Sequence, residues 1–374
     1  MPEVFSSPNP ISSHPEMKPG SEEKPVPAIK RSMKHLWQVL LILIFLGICI
    51  LGIRYYRLFF KPNVTTGDQP YALIYIHTGM DFSAVKTLLS DHHYLKDQNS
   101  FEQLAVKKRY NVKVKPGRYR IVNGMNNNEL LNVLRSGKQE PVRLIIQNAR
   151  TPGELAGKIA KQIEADSLSI LNLLRDPGYL SAFGAEPATV FTIFIPNTYE
   201  FLWNTSADQF IRKMYRERQK FWNDERIMKM SQEGLDIVRV VTLASIIEKE
   251  TVKNSEKPVI AGVYMNRLQK GWPLQADPTL IFAWNDYTIR RVLKKHKEID
   301  SPYNTYRYSG LPPGPICLPS VSSIDAVLNY RKHAYMYFCA KEDLSGYHNF
   351  SVTLDEHNRN ADRYQAALKR LNIR

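Results

Sequence analysis

The sequence predicts an α+β protein with a single N-terminal transmembrane helix, a small α+β module, and a larger α+β domain built round a buried helix. Three observations predict this architecture. The run 36–53 is apolar at nearly every position and is long enough to cross a bilayer. Short strand-like and helix-like segments alternate through the rest of the chain. The later segment 237–247 is apolar on almost every side, which is typical of a helix inside a core.

The composition limits the class of protein and its partners. The chain has 374 residues, 51 Lys and Arg against 36 Asp and Glu, and a formal charge of +15. This excess favours an anionic partner, such as a nucleic acid, a membrane surface or an acidic polymer. No motif of a nucleic-acid-binding module occurs, so no nucleic acid partner is expected. The chain shows no zinc spacing and no phosphate-binding glycine loop, so neither a metal nor another cofactor is expected.

The N-terminal segment predicts a tail followed by a membrane anchor. Residues 1–34 are rich in proline and serine and show no apolar periodicity, which predicts disorder. Residues 35–54 form the predicted transmembrane helix, with Trp37 at one end and Tyr55 and Tyr56 at the other, where interfacial aromatic residues occur. Basic residues before the helix slightly outnumber those after it. This difference favours a cytoplasmic tail, with the rest of the chain outside the cytoplasm.

Residues 55–140 predict a small α+β module. Leu73–His77 and Gly117–Val122 have the composition of strands. Two amphipathic segments, 81–89 and Asn128–Gly137, predict helices, and the second ends at a glycine as helices often do.

Residues 141–374 predict the larger domain. Val142–Ile146 reads as a strand, and Thr151 opens a helix with a capping box. Asp236 is the predicted N-cap of the central apolar helix, and 256–270 is its predicted partner helix. Within this domain Cys317 and Cys339 form the one pair of cysteines outside the membrane segment, and the sequence leaves open whether they bond.

The central helix ends with two carboxylates, Glu248 and Glu250. Burial and the negative end of the helix dipole both raise a carboxyl pKa, and a general acid that works near neutral pH needs a raised pKa. Residues two apart face different sides of a helix, so at most one of the two is expected to face a substrate. The alternative interpretation is a solvated last helical turn, with Lys249 beside the two acids.

Several polar segments follow the central helix in sequence. Asp277, before Pro278, reads as a helix N-cap with proline at the first helical position. The segment 301–306 combines aromatic and amide groups, and 310–319 is a turn stiffened by prolines. The candidate hydrogen-bonding residues of these and neighbouring segments are Asn266, Gln275, Asp277, Tyr303, Asn304 and Asn349.

Together these segments resemble the YceG-like family. The resemblance is carried by Leu243–Thr251, Gln275–Thr279, Tyr303–Tyr306, Gly310–Pro315 and the segment 349–358, which occur in the family's order and approximate spacing. Upstream, the segments 115–120 and 134–138 resemble the LysM-like module of that family. The chain departs from the family at Ser351, where an asparagine is expected after Phe350.

The resemblance implies a fold, a reaction and a location. It implies a LysM-like glycan-binding module at 55–140 and a YceG-like catalytic domain at 141–374, and the transmembrane helix at 35–54 fits the family. The cytoplasmic tail at 1–34 is predicted from its composition and has no counterpart in the family. The implied enzyme is a lyase of the inner membrane, whose catalytic domain lies in the periplasm. It cleaves the β-1,4 bond between N-acetylmuramic acid and N-acetylglucosamine of nascent peptidoglycan strands without water, and it leaves 1,6-anhydro ends.

The resemblance also implies roles for individual residues. Glu248 is the expected general acid and base, and Glu250 is expected to support it. The expected substrate-binding residues are Asn266, Gln275, Asp277, Tyr303, Asn304 and Asn349. Glycan strands and cell-wall synthases are the expected partners. The alternative function is a catalytically silent scaffold that holds glycan near those synthases.

Overall fold

The structure, a computed structural model, describes residues 29–371, with side chains from residue 33 onward. The chain divides after Lys61 into two compact units. Helices and short antiparallel strands are both present, which confirms the predicted α+β class. The boundary predicted at residue 140 lies inside the second unit and stays a prediction.

The first unit consists of helix α1, Ile29–Phe59. Its part from Met33 to Phe59 is long enough and apolar enough to cross a membrane. The helix begins within the predicted tail, because Ile29 is already helical. The rest of that tail, residues 1–28, lies outside the described residues.

The second unit begins with a two-stranded sheet and three helices. Its elements are β1 (Tyr71–Ile76), α2 (Phe82–Asp91), α3 (Gln98–Lys107), β2 (Gly117–Val122) and α4 (Asn127–Ser136). The antiparallel register pairs Leu73 with Arg120. Each helix starts at a side-chain cap, and Gly137 ends α4 with a φ of 73°, which is a conformation that glycine adopts at little cost.

The next part of the chain packs helices round a second antiparallel pair of strands. Its elements are β3 (Val142–Ile146), α5 (Pro152–Ala160), α6 (Ser167–Arg175), α7 (Pro177–Ser181), β4 (Asn197–Phe201), α8 (Ala207–Phe221) and α9 (Asp224–Gln232). A 3-10 helix, Pro187–Ile193, lies between α7 and β4. Leu144, Phe194 and Phe210 belong to one continuous apolar core in this region.

The central helix predicted from sequence is α10, Ile237–Glu250. The Asp236 side chain caps it by accepting from the Arg239 N–H at 2.8 Å. Every residue from Val240 to Ile247 is buried, so the helix runs through its own core cluster. Its last turn, which holds the two carboxylates, is where burial ends.

Six further α-helices and β-strands follow α10 in the described part of this unit. They are α11 (Lys257–Gln269), α12 (Asp277–Trp284), α13 (Val321–Leu328), the antiparallel pair β5 (Tyr337–Ala340) and β6 (His348–Ser351), and α14 (Leu354–Arg370). Helices α11 and α13 both pack on α10. Cys317 is buried next to α10 and Cys339 lies in β5, and both are free thiols.

Candidate active site

The end of α10 presents its three charged residues to three different surroundings. Glu248 contacts α11 and the first turn of α13, Lys249 is exposed, and Glu250 contacts Tyr264 of α11. Successive helical residues are about 100° apart, so the separation follows from helix geometry. Glu248 and Glu250 share no hydrogen-bond partner, as the spacing predicts.

Glu248 is held through one oxygen. Its Oε2 accepts hydrogen bonds from Ser320 Oγ at 2.5 Å and from Ser323 Oγ at 2.5 Å. Lys257 Nζ lies 3.0 Å from the same oxygen, and the lysine side chain is only 5% exposed. Ser320 is the N-cap of α13, so this cluster joins the end of α10 to the start of α13. The other oxygen, Oε1, accepts no hydrogen bond from the described residues.

These contacts overturn the expected rise in the pKa of Glu248. Burial by itself raises the pKa of this carboxyl. The hydrogen bonds from Ser320, Ser323 and Lys257, together with the lysine charge, outweigh burial and hold the pKa below its usual value. Glu248 is therefore ionised at neutral pH in the free protein, and the predicted protonated form of this residue is wrong.

Glu250 has the opposite shift. Burial raises its pKa to about 7, although the Tyr264 hydroxyl donates a hydrogen bond to Oε1 at 2.7 Å and lowers it. That value already includes two nearby charges: Asp277 raises the pKa and Arg267 lowers it. Oε2 accepts no hydrogen bond from the described residues, and the residue as a whole is half-buried. A large fraction of Glu250 is therefore protonated at neutral pH.

Arg267 is the buried cation whose charge acts on Glu250. Its side chain is buried, with Nε donating to the Met336 carbonyl at 2.9 Å and a terminal nitrogen donating to the Leu274 carbonyl at 2.5 Å. Both acceptors are backbone groups, so the guanidinium is anchored without neutralising its charge. The charge remains available to the carboxylates of Glu250 and its surroundings.

Asp277 differs from its predicted role as a helix cap. Ala276 occupies the N-cap position, and Asp277 is the first residue of α12. The carboxylate of Asp277 instead accepts from the Tyr306 hydroxyl at 2.5 Å. The Ala276 N–H is taken by Thr305 Oγ1, so the start of α12 is satisfied from the 301–306 loop. Tyr306, whose hydroxyl binds Asp277, is not among the residues predicted for the site, although it ends the Tyr303–Tyr306 motif.

Two of the predicted substrate-binding amides are occupied by the protein itself. Asn304 is completely buried; its Nδ2 donates to the carbonyls of Lys297 and Ile299, and its Oδ1 accepts two backbone N–H groups. A buried and fully paired side chain has no free group for a substrate, so the direct role predicted for Asn304 is wrong. Asn266 Nδ2 similarly donates to two backbone carbonyls of the segment before β5.

The remaining predicted residues lie in three separate segments that follow the central helix. Gln275 is exposed and has a φ of 50°, an uncommon value for a residue other than glycine, which often marks functional sites. Tyr303 packs its ring against Phe282 with 4.6 Å between centroids. Asn349 lies in β6 and donates to Glu342 Oε2 at 2.8 Å. Gln275 and Asp277 are exposed, and the charge of Asp277 acts on Glu250. Direct contact of any of these residues with substrate stays a prediction.

Two cavities flank the last turn of α10. One, of about 210 Å³, is lined by Lys249, by residues of α12 and by Ile316. The other, of about 330 Å³, lies between the ends of β3 and β4 and Ser320, whose hydroxyl binds Glu248. The first cavity thus contacts α10 directly through Lys249, and the second reaches it through Ser320, a hydrogen-bond partner of Glu248.

Comparisons with known proteins agree on one family. The model of the YceG-like family matches residues 74–363. The endolytic murein transglycosylase of Bacillus subtilis is 30% identical over 307 residues, which cover 78% of this chain and 84% of that protein. The enzyme of the same name from Streptococcus pneumoniae is 26% identical over 329 residues, and the match spans 59% of its length. The crystal structure of a YceG-like protein of Listeria monocytogenes superposes with a TM-score of 0.53 at 29% identity, covering 78% of this chain and 98% of that one.

Proposed function

Because the chain belongs to the YceG-like family, we propose that it is a membrane-anchored endolytic peptidoglycan transglycosylase. The reaction cleaves the β-1,4 bond between N-acetylmuramic acid and N-acetylglucosamine inside a glycan strand. It consumes no water and leaves a 1,6-anhydro-N-acetylmuramic acid end. The names of the Bacillus and Streptococcus relatives support this activity.

The observation that carries the chemistry is the opposite pKa shift of the two glutamates. Glu250, with a pKa of about 7, can hold a proton at neutral pH and release it without a large energetic penalty. Glu248 is ionised and bound to Lys257 and two serine hydroxyls, so it has no proton to donate in the free protein. The role of general acid therefore passes from Glu248, where the family resemblance placed it, to Glu250. Glu248 remains the competing assignment.

The proposed mechanism uses Glu250 twice. Its protonated carboxyl first donates the proton to the glycosidic oxygen that leaves with N-acetylglucosamine, while the bond from that oxygen to C1 of the muramyl residue breaks. The resulting carboxylate then accepts the proton of the muramyl C6 hydroxyl as that oxygen bonds to C1. The proton count of Glu250 is restored after each turnover. One carboxyl suffices because no water has to be activated, whereas most glycoside hydrolases use two.

Neighbouring residues have supporting roles in this mechanism. Tyr264, by donating to Oε1 of Glu250, orients the carboxyl, and Oε2 accepts no hydrogen bond from the described residues. Arg267 stabilises the carboxylate formed after proton transfer, since its charge lowers the pKa of Glu250. Glu248 holds α10, α11 and α13 together through Lys257 and Ser320. Gln275, Asp277, Tyr303 and Asn349 are proposed to position the strand.

The function is tested by the chemistry of the product ends. Purified full-length protein in detergent is incubated with peptidoglycan strands, and the new ends are identified by mass spectrometry. The proposal expects internal cuts with 1,6-anhydro ends, which are lighter by one water than the ends that hydrolysis leaves. Reducing ends would identify a hydrolase instead and would contradict the proposed role of the C6 hydroxyl.

A second candidate function is a scaffold that binds glycan without cutting it. The observation that favours it is the ion pair of Glu248 with Lys257, which would disable the site if Glu248 were the only possible donor. A scaffold would bind strands as tightly after Glu250→Gln as before, and would release no product in either form. Product formation by the wild-type protein excludes it.

The location and partners extend the proposal. Among the described residues, α1 is the helix that is long and apolar enough to anchor the protein in a membrane. We place the N-terminus in the cytoplasm, the catalytic region on the outer side of the inner membrane, and the module at 55–140 on the glycan. Cell-wall synthases are the proposed neighbours, because the strands to be cut are those being made. Cysteine labelling of residues introduced on either side of α1 tests the orientation.

A further inference from the structure

The cavity beside Lys249 is lined by cations and by no carboxylate side chain. It measures about 210 Å³ and is lined by two cations, Arg150 and Lys249. Neither cation has a carboxylate within 4 Å in the described part of the chain. The guanidinium of Arg150 lies over the ring of Tyr287, 5.3 Å from its centroid, which fixes its position on the cavity wall.

The acids nearest to this cavity are already engaged elsewhere. Glu154 pairs with Lys158 at 2.7 Å and accepts the backbone N–H of Arg150. Glu248 pairs with Lys257 on the other side of the helix end. Two like charges at one cavity repel each other, and a bound anion removes that repulsion while it gains two charge-assisted hydrogen bonds. The cavity is therefore suited to an anion.

The rest of the lining defines which anion fits. Pro278, Ile281, Phe282, Ile289 and Ile316 make the remaining wall mostly apolar. A phosphate or pyrophosphate group offers nothing for such a wall to contact, whereas a small carboxylic acid with an alkyl substituent matches both halves. In peptidoglycan this chemistry occurs at the end of the peptide stem, where a methyl group and a carboxylate belong to one alanine residue.

We propose that the cavity between Arg150 and Lys249 binds the terminal alanyl carboxylate of the peptide stem of a muramyl residue. The inference rests on the proposed function, because Pro278 of the cavity lining follows Asp277, whose charge acts on Glu250. A stem seated there holds the strand beside the acid. The enzyme then cuts peptide-bearing strands in preference to strands from which the peptides have been removed.

Binding is measured first, with a probe that carries a single carboxylate. Diacetyl-L-lysyl-D-alanyl-D-alanine is titrated into the full-length protein in detergent and followed by calorimetry, and its C-terminal amide serves as the matched ligand. The acid is expected to bind at least tenfold more tightly than the amide. Arg150→Gln and Lys249→Gln are each expected to weaken binding of the acid about tenfold, since each loses a charge-assisted hydrogen bond.

Lys161→Gln provides the control, because it removes one positive charge from an exposed position outside the cavity lining. Binding of the acid by this variant is expected to equal that of the wild-type protein. Equal affinity for acid and amide, no binding of the peptide, or equal weakening by the control would overturn the proposal. Binding of N-acetylmuramic acid through Arg150 and Lys249 in place of the peptide would overturn it too, since the cavity would then hold the lactyl carboxylate.

The activity measurement separates this inference from the proposed function. Wild-type protein is given equal amounts of peptide-bearing and peptide-free strands, and the ratio of the two cutting rates is expected to fall about tenfold in Arg150→Gln. A wild-type ratio of one, with anhydro products from both strands, would refute the stem site and leave the transglycosylase intact. Stem binding without any anhydro product would refute the transglycosylase and leave the site.

Discussion

Removing the hydrogen bond from Tyr264 to Glu250 tests directly whether Glu250 is the general acid. The Tyr264 hydroxyl lies 2.7 Å from Oε1 and lowers the pKa of Glu250, which burial raises to about 7. Tyr264→Phe removes the hydroxyl and leaves the ring, whose residue is buried at 1% exposure. The pKa of Glu250 is therefore expected to rise further in the variant.

The size of the shift follows from the strength of the lost bond. A hydrogen bond to a charged group contributes about 1.5–3 kcal/mol, and one pKa unit corresponds to about 1.4 kcal/mol. The pKa of Glu250 should accordingly rise by about 1–2 units. A general acid works in its protonated form, so activity falls as pH rises through its pKa. The alkaline limb of the profile should move upward by the same amount.

The assay is the pH dependence of kcat/KM for release of anhydro ends, with Tyr347→Phe as the control. Tyr347 is a surface residue with 38% exposure and no contact with Glu250. The alkaline limb of the Tyr347→Phe profile should therefore coincide with that of the wild-type enzyme. An unchanged limb in Tyr264→Phe, or a limb displaced to lower pH, would refute the assignment of Glu250 as the acid.

Three further predictions follow from the same contacts. Asp277→Asn removes a charge that raises the pKa of Glu250, so the alkaline limb of the pH profile should move to lower pH, opposite to Tyr264→Phe. Lys257→Met leaves the partly buried Glu248 carboxylate without its cation, and chemical denaturation should show a loss of about 3 kcal/mol, against none for exposed Lys161→Met. The stabilisation from the lowered pKa of Glu248 is present above the pKa of the unfolded chain and should be lost as pH falls through the folded value. Ile246→Ala opens a cavity in the core of α10 and should cost about 2–5 kcal/mol in the same denaturation assay, whereas a loss below 1 kcal/mol would contradict the packing.

The central helix could be predicted from sequence because its signal is local. A run that is apolar on every side, preceded by Asp236, defines both the burial and the start of α10. The membrane-length apolar helix and the antiparallel strands of the small module follow from the same kind of pattern.

The chemistry of the two glutamates could not be predicted in this way. The pKa of Glu248 is decided by serine hydroxyls 72 and 75 residues away and by Lys257, and no local pattern in α10 contains them. At Glu250 burial raises the carboxyl pKa because the one hydroxyl donor, Tyr264, does not outweigh it. The general effect of burial on a carboxyl pKa can be predicted from the sequence, but the hydrogen-bond partners that decide the pKa of Glu248 cannot.

The errors at Asp277 and Asn304 have the same origin. An aspartate before proline is a good cap by local rules, but the Tyr306 hydroxyl, 29 residues away, takes its carboxylate. An asparagine in a polar loop is a reasonable ligand for sugar, but Asn304 is turned inward and holds the loop together. In both cases the side chain is held by a contact with a distant or buried group, which local sequence rules do not reveal.

The measurement that tests the central claim most directly compares Glu250→Gln with Glu248→Gln in single-turnover cleavage of one glycan substrate. General acid catalysis contributes about 10²–10⁴-fold to a rate, so Glu250→Gln should slow the release of anhydro ends by at least a hundredfold. Glu248→Gln should cut at a rate close to that of the wild-type enzyme, once corrected for the folded fraction. The reverse order, with Glu250→Gln active and a folded Glu248→Gln silent, would contradict the account.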